Sequence, residues 1–448
     1  MGNHSVKKQI DPDDIPNEEE SPNEIPDEED SPDEIPDEED SVESVPNEHA
    51  KAVCSSSNAF TQQLYVQLSI GKSGEKENLI LSGFGLSTAM AMIFLAARDE
   101  AFDEIQKSFR FPRDLEEHKS GYKDILRHLA SFNTKLNIGQ KIFADNKLDI
   151  PESFTADIKD SFGAEPTKLD LTKPASADII NKWVKEATKG KIESIVEGEE
   201  LNLNTIMILL NAIYLKSEWG KKFDSDDTRE QDFYLSGDEE GPKVKVQMMT
   251  LNDVDLRSIF IKNLDARAVE LPYKGNRFSM VIILPEKKES FDEMEQRLRD
   301  VDLNNELSFS QDKTEFYLQI PKFKAECTHD LKKPLQSLGV ITAFVSGRSN
   351  FGGISKQPNQ ESFLTTVRQK AVIEVDENGT EAAAATMVFG ARNCISNSFI
   401  CNRPFIFLIR EQTSGLCLFI GRMMNPAQKW ENLNLAVLYI RSFLVFLS

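Results

Sequence analysis

A chain of 448 residues that is 40% hydrophobic has ample material for a large buried core, which excludes a wholly disordered protein. Its formal net charge of -22 is concentrated, because residues 11–50 hold 19 Asp and Glu and no Lys or Arg. The remainder is only mildly acidic and lacks a clustered basic face, which argues against a nucleic-acid partner.

The N-terminal MGNHSVKKQI has no apolar core, so no secretory signal is visible there. Val6 stands where a myristoylation site requires Ser or Thr. The acidic stretch then divides into DPDDIPNEEE, SPNEIPDEED, SPDEIPDEED and SVESVPNEHA, a ten-residue repeat with proline at its sixth position. Like charges and sparse apolar residues cannot offset the entropy of ordering, so residues 1–52 are expected to form a disordered acidic tail. The period is also too short for a solenoid unit.

Residues 53–429 read as one folded body. FTQQLYVQL (60–68) and LSTAMAMIFLAAR (86–98) carry apolar residues at helical spacing, whereas KLNIGQKIFAD (135–145) is strand-like. TIMILLNAIYL (205–215) and SMVIILP (279–285) are near-continuous apolar strands, which implies burial on both faces. SFDEMEQRLRD (290–300) predicts a short helix, and Ala371–Val375 a strand. FIFLIREQ-TSG-LCLFIGRM predicts a hairpin. Helices and strands mixed without βαβ regularity point to the α+β class. Residues 430–448 form an apolar extension. Its run LAVLYIRSFLVFLS is interrupted by Arg441 and is shorter than the roughly 20 residues a spanning helix needs, so no membrane span is expected.

The body offers little catalytic chemistry. Its histidines are His118, His128 and His329, with no HExxH and no GxSxG. Gly71-Lys72-Ser73 resembles the end of a P-loop, but Val66 occupies the place of the first glycine. The five cysteines form no CxxC pair and agree weakly with a reducing compartment. Neither an enzyme nor a cofactor or metal site is expected.

The most informative stretch is ENGTEAAAAT, Glu377 to Thr386, directly after the strand at 371–375. Alanine is the best helix former, so one reading is a helix start. The other is a segment whose small side chains let it slide between existing strands, with Gly379 as a pivot. The wider context favours the second. VIEVDENGTEAAAAT followed by NRPFIFLIREQTSGLCLFIGRMMNP resembles the hinge, reactive loop and terminal hairpin of a serpin. NLILSGFGLSTAMAMIFLAARDE (78–100), LLNAIYLKSEWGKKF (209–223), ELPYKGNRFSMVIILP (270–285), IPKFKAECTHDLKKPLQSLGVITAF (320–344) and NFGGIS (350–355) follow the family order.

That resemblance implies a serpin fold of three β-sheets and about nine helices, with an exposed reactive loop at about 377–402. It implies a monomeric suicide inhibitor of a target protease, working by loop cleavage and insertion. A non-inhibitory carrier and an inhibitor of a cysteine protease are the alternatives. The implied hinge is Glu377, Gly379, Thr380, Glu381, Ala382, Ala383, Ala384, Ala385 and Thr386. An implied polar cluster lies where the central strands part. Ser82 and Asn211 match it, Gly85 replaces an expected serine, and Gln369 replaces the common histidine while still able to donate and accept. Asn378 stands where the family often has an acid, and it opens the sequon Asn378-Gly379-Thr380. The implied scissile region is Arg392, Asn393 and Cys394. Family spacing points to Asn393–Cys394, but Arg392 suits the acidic pocket of trypsin-like proteases, and one residue of loop length costs little. Arg392–Asn393 is therefore the expected bond. Residues 102–118 mix Lys107, Arg110 and Arg113 with five acids, so no heparin-type cofactor is expected. The family resemblance implies an extracellular location; the lack of a visible signal leaves a cytoplasmic one as the alternative.

Overall fold

The computed structural model describes residues 46–70, 76–131, 135–355, 362–379 and 397–428. Nine α-helices occur among them: α1 Glu48–Ser69, α2 Gly83–Phe94, α3 Asp99–Phe109, α4 Leu115–Ala130, α5 Glu152–Phe162, α6 Ser176–Ala187, α7 Phe291–Arg297, α8 Leu303–Glu306 and α9 Lys332–Ser337. The strands are β1 Leu79–Leu81, β2 Lys135–Asp145, β3 Thr167–Leu169, β4 Met207–Lys216, β5 Arg229–Tyr234, β6 Lys243–Ile261, β7 Ala266–Pro272, β8 Phe278–Pro285, β9 Thr314–Pro321, β10 Phe323–Asp330, β11 Thr366–Val375, β12 Ser398–Ile400, β13 Phe405–Glu411 and β14 Cys417–Met423.

Three sheets result, two of them joined. The 19-residue β6 pairs with β5 and β9 along its first part and with β7 over Arg257–Ile261. A register shift between Leu251 and Val254, where Asp253 has φ 50°, bends it from one sheet into the next. Strands β1, β14, β13, β8 and β7 complete one of those sheets, and β12 edges the other beside β9. The third sheet has the order β10-β11-β4-β2-β3.

Strand β4 explains why that third sheet is central. Ile208, Leu210, Ala212 and Tyr214 face Ile180 and Val184 of α6 in one core. Leu209, Ile213 and Leu215 belong to the larger core on the opposite face, which contains α2. With side chains alternating along a strand, both faces are covered and the sequence must be apolar throughout. Asn211 is the polar exception, fully enclosed on the α2 side.

The boundary of the tail differs from the expectation. Residues 48–52 lie in α1 rather than in the acidic arm. The Asn47 side chain accepts from the Ala50 amide as an N-cap, and Ala50 and Val53 are buried. The repeat pattern continues past the point where capping and burial already favour a helix. The arm itself and the C-terminal extension lie outside the described residues.

Candidate functional site

The feature that singles itself out is the seam between β11 and β4. These two strands pair in parallel from Thr366↔Ile208 to Val372↔Tyr214. Each is antiparallel to its other neighbour, β10 and β2 respectively. Beyond Tyr214 the two strands separate, and the gap is closed by the turn Asp376–Gly379.

That turn is docked by backbone. The Trp219 amide donates to the Asn378 carbonyl at 2.9 Å, and the Phe223 amide to the Glu377 carbonyl at 2.9 Å. The Trp219 indole Nε1 donates to the Asp376 carbonyl at 2.9 Å, and the ring stacks on Tyr273 with centroids 4.6 Å apart. Gly379 has φ +121°, and a Cβ built there would lie 2.2 Å from the Ser217 carbonyl oxygen and 2.6 Å from the Trp219 nitrogen. Glycine is required here by both conformation and space.

Glu377 ties the turn to neighbouring elements. Its carboxylate accepts from Lys322 Nζ at 2.8 Å and Thr228 Oγ1 at 3.1 Å. Partial burial pushes its pKa up, but Lys322, its own backbone and Thr228 outweigh that and hold it below the ordinary value. Sequence reasoning identifies Glu377 but neither partner. Thr228 lies 149 positions away, and nothing local marks it.

Lower on the seam, the structure brings Ser82, Asn211 and Gln369 together. Gln369 Oε1 accepts from the Ser82 amide at 2.8 Å, while its Nε2 donates to the Ser82 carbonyl and to Asn211 Oδ1, both at 2.7 Å. Asn211 Nδ2 donates to the Gly139 carbonyl at 3.3 Å. Ser82 also caps α2, its hydroxyl accepting from the Gly85 amide at 3.1 Å. Gly85 is explained by the same geometry: a Cβ there would lie 2.5 Å from Asn211 Oδ1. In β10 the residue registered beside Gln369 is His329, whose Nε2 lies 2.8 Å from the Ile80 carbonyl. His329 thus bonds the backbone of the strand ahead of α2.

Of the named hinge, Glu377 and Gly379 are described. Thr380, Glu381, Ala382, Ala383, Ala384, Ala385 and Thr386 lie outside the described residues, as do Arg392, Asn393 and Cys394.

One constellation of serine, histidine and carboxylate does occur. His128 Nε2 lies 3.6 Å from Glu411, and the Ser414 hydroxyl and amide donate to the same carboxylate. The acid stands between the other two groups, whereas in a catalytic triad the histidine lies between the acid and the hydroxyl. Among the described residues no group of three or more His, Cys, Asp or Glu could hold a metal ion, and no helix is long and apolar enough to cross a membrane.

Comparison with known proteins agrees with this architecture. Residues 55–426 match the family model described as Serpin (serine protease inhibitor). Alaserpin of Manduca sexta is 31% identical over 381 residues, covering 84% of this chain and 94% of the relative. Leukocyte elastase inhibitor of Bos taurus is 34% identical over 362 residues, covering 78% and 93% respectively. The crystal structure of Serpin48 from the insect Tenebrio molitor superposes with TM-score 0.75 at 30% identity, covering 84% of this chain and 98% of that one. With a family model spanning most of its length and relatives matched nearly end to end, the chain belongs to the serpin family.

Proposed function

We propose that the protein inhibits trypsin-like serine endopeptidases as a suicide substrate, cleaved at Arg392–Asn393. The observation that carries this reading is the seam itself. Strands β11 and β4 are parallel neighbours, and the chain leaves β11 through a turn docked at the open end of their pairing. A segment entering between them from that turn would run antiparallel to both. One parallel ladder would give way to two antiparallel ones, with more backbone hydrogen bonds and better geometry per residue.

The chemistry follows from the protease. Its serine Oγ attacks the Arg392 carbonyl carbon, the Arg392–Asn393 bond breaks, and the departing Asn393 amine takes the proton. The acyl-enzyme ester then hydrolyses unless insertion carries the enzyme away first. Small residues at Ala382 to Ala385 favour fast insertion, because little volume has to be accommodated at each step. The contacts of Gln369 with Ser82 and Asn211 act as the latch. The Gln369–Asn211 bond spans the parting strands, so opening breaks it and leaves Gln369 held by Ser82.

Incubation with a panel of serine and cysteine proteases tests this. A covalent complex with a trypsin-like enzyme that survives denaturing electrophoresis is expected, with a released peptide beginning at Asn393. Cleavage without a stable complex across the panel would overturn the inhibitory reading. A peptide beginning at Cys394 would move the bond and the specificity to Asn393.

A further inference from the structure

Asn378-Gly379 is the only Asn-Gly pair in the 448 residues. It lies in the turn that closes the seam, not in an ordinary surface loop. Glycine after asparagine exposes a backbone nitrogen with no side chain to shield it. That nitrogen is otherwise occupied here. The Gly379 amide donates to the Asp376 carbonyl at 3.2 Å, and the Asn378 amide to Asp376 Oδ1 at 2.9 Å. The Asn378 carbonyl is held by the Trp219 amide, and Gly379 is pressed against Ser217, Glu218 and Trp219. Rotation of the peptide unit toward its own side chain is blocked while these contacts last.

We propose that Asn378 is a site of spontaneous deamidation, gated by release of the turn from the end of β4. In the released state the Gly379 nitrogen attacks Asn378 Cγ. The new N–Cγ bond forms, the Cγ–Nδ2 bond breaks, and the former Gly379 amide proton leaves with the departing ammonia. Water then opens the succinimide. Cleavage between Cγ and nitrogen leaves aspartate, and cleavage between the main-chain carbonyl carbon and nitrogen leaves isoaspartate, with the backbone routed through Cγ. No oxidant or other co-reactant is needed.

The two products differ in consequence. Aspartate adds a third carboxylate beside Asp376 and Glu377. Isoaspartate also inserts an additional backbone atom directly ahead of the segment that must enter the sheet. A strand's side chains alternate with period two, so an altered chain length at its start misplaces every residue behind it. The isoaspartate form therefore behaves as a substrate that is cleaved and released. This functional consequence rests on the loop-insertion reading above; the chemistry at Asn378 does not.

The test ages the full-length protein at mildly alkaline pH beside an Asn378→Gln variant and a synthetic peptide covering residues 372–386. Peptide mass mapping with isoaspartate labelling gives conversion, and titration against the trapped protease gives the stoichiometry of inhibition. Conversion at Asn378 is expected, slowed at least about tenfold relative to the peptide by the hydrogen bonds that hold the turn. The stoichiometry should rise in step with the isoaspartate fraction, while Asn378→Gln stays flat. Asn378 still intact after about a hundred peptide half-lives, well beyond the protection those hydrogen bonds supply, would overturn the proposal. So would full conversion with unchanged stoichiometry, or a glycan on Asn378 that caps the amide. If fresh protein traps no protease, the inhibitory reading fails, yet the mass map still decides the chemistry.

Discussion

Replacing Gln369 with Leu tests the seam most directly. Gln369 and Ser82 have no solvent exposure and Asn211 has 1%. Leucine matches glutamine in size but offers no hydrogen bonds. The Ser82 carbonyl keeps a partner in the Leu86 amide. The Ser82 amide and Asn211 Oδ1 both lose theirs. Two buried polar groups left unsatisfied cost about 1–3 kcal/mol each. The more favourable burial of leucine returns about 1–2 kcal/mol of that sum. The net loss should therefore lie within about 0–5 kcal/mol, centred near 2.5. Urea unfolding followed by tryptophan emission reads it as a lower midpoint at unchanged slope. A double-mutant cycle with Asn211→Ala isolates the bond across the seam and should give a coupling of about 1–2 kcal/mol. Additivity to within about 0.5 kcal/mol would show that the Gln369–Asn211 contact holds nothing together.

Gly379→Ala should expel the turn from the end of β4 at a cost of about 1–3 kcal/mol, since both φ and space forbid a side chain. An unchanged melting temperature together with unchanged Trp219 emission would refute this. Thr380→Arg and Ala382→Pro should each turn the inhibitor into a substrate, one by carrying a charge into the sheet and the other by removing a ladder hydrogen bond. Undiminished stoichiometry in both variants contradicts insertion. Burial pushes the Glu411 carboxyl up, but the nearby His128 imidazole and hydrogen bonds from Ser414 and Thr413 outweigh it and hold the pKa at about 2, below the ordinary 4.5. Its contribution of about 3 kcal/mol is thus present above pH 4.5 and lost as the pH falls toward 2. Glu411→Gln should flatten the acid limb of a stability profile over that window, and an identical limb would refute the assignment. Deleting residues 1–45, which spares the Asn47 cap, should leave the melting temperature unchanged while slowing association with a strongly basic protease at low salt. A collapse of folding would show the arm to be structural.

The long apolar strands were legible because burial on both faces leaves no alternative to a continuous hydrophobic run, as in β4 and β8. The terminal hairpin was legible from its turn residues. The start of β11 was not. Residues 366–370 read Thr-Val-Arg-Gln-Lys, too polar for a strand by pattern alone, yet Gln369 is enclosed and Arg368 pairs with Glu200. The polar cluster was reachable only through family resemblance, since Gln369 and Asn211 are 158 positions apart and neither residue type marks its own burial. Gly85 looked like a loss from that cluster. Its meaning emerges only with Asn211 in place, whose amide fills the volume a side chain would need. Composition assigned residues 48–52 to the arm although they lie in α1, because charge repeats do not register where a cap begins.

The separation along the chain at the seam bears on how the molecule forms. Strands β10 and β11 are close in sequence, and β2, β3 and β4 lie within one earlier stretch. Each half of the central sheet can therefore assemble from comparatively local contacts. Joining them requires closing a loop of more than 150 residues, the slow, high-contact-order step. The pairing of β11 with β4 is thus the one in the central sheet whose partners lie farthest apart along the chain, and the sheet is whole only once that distant contact has formed.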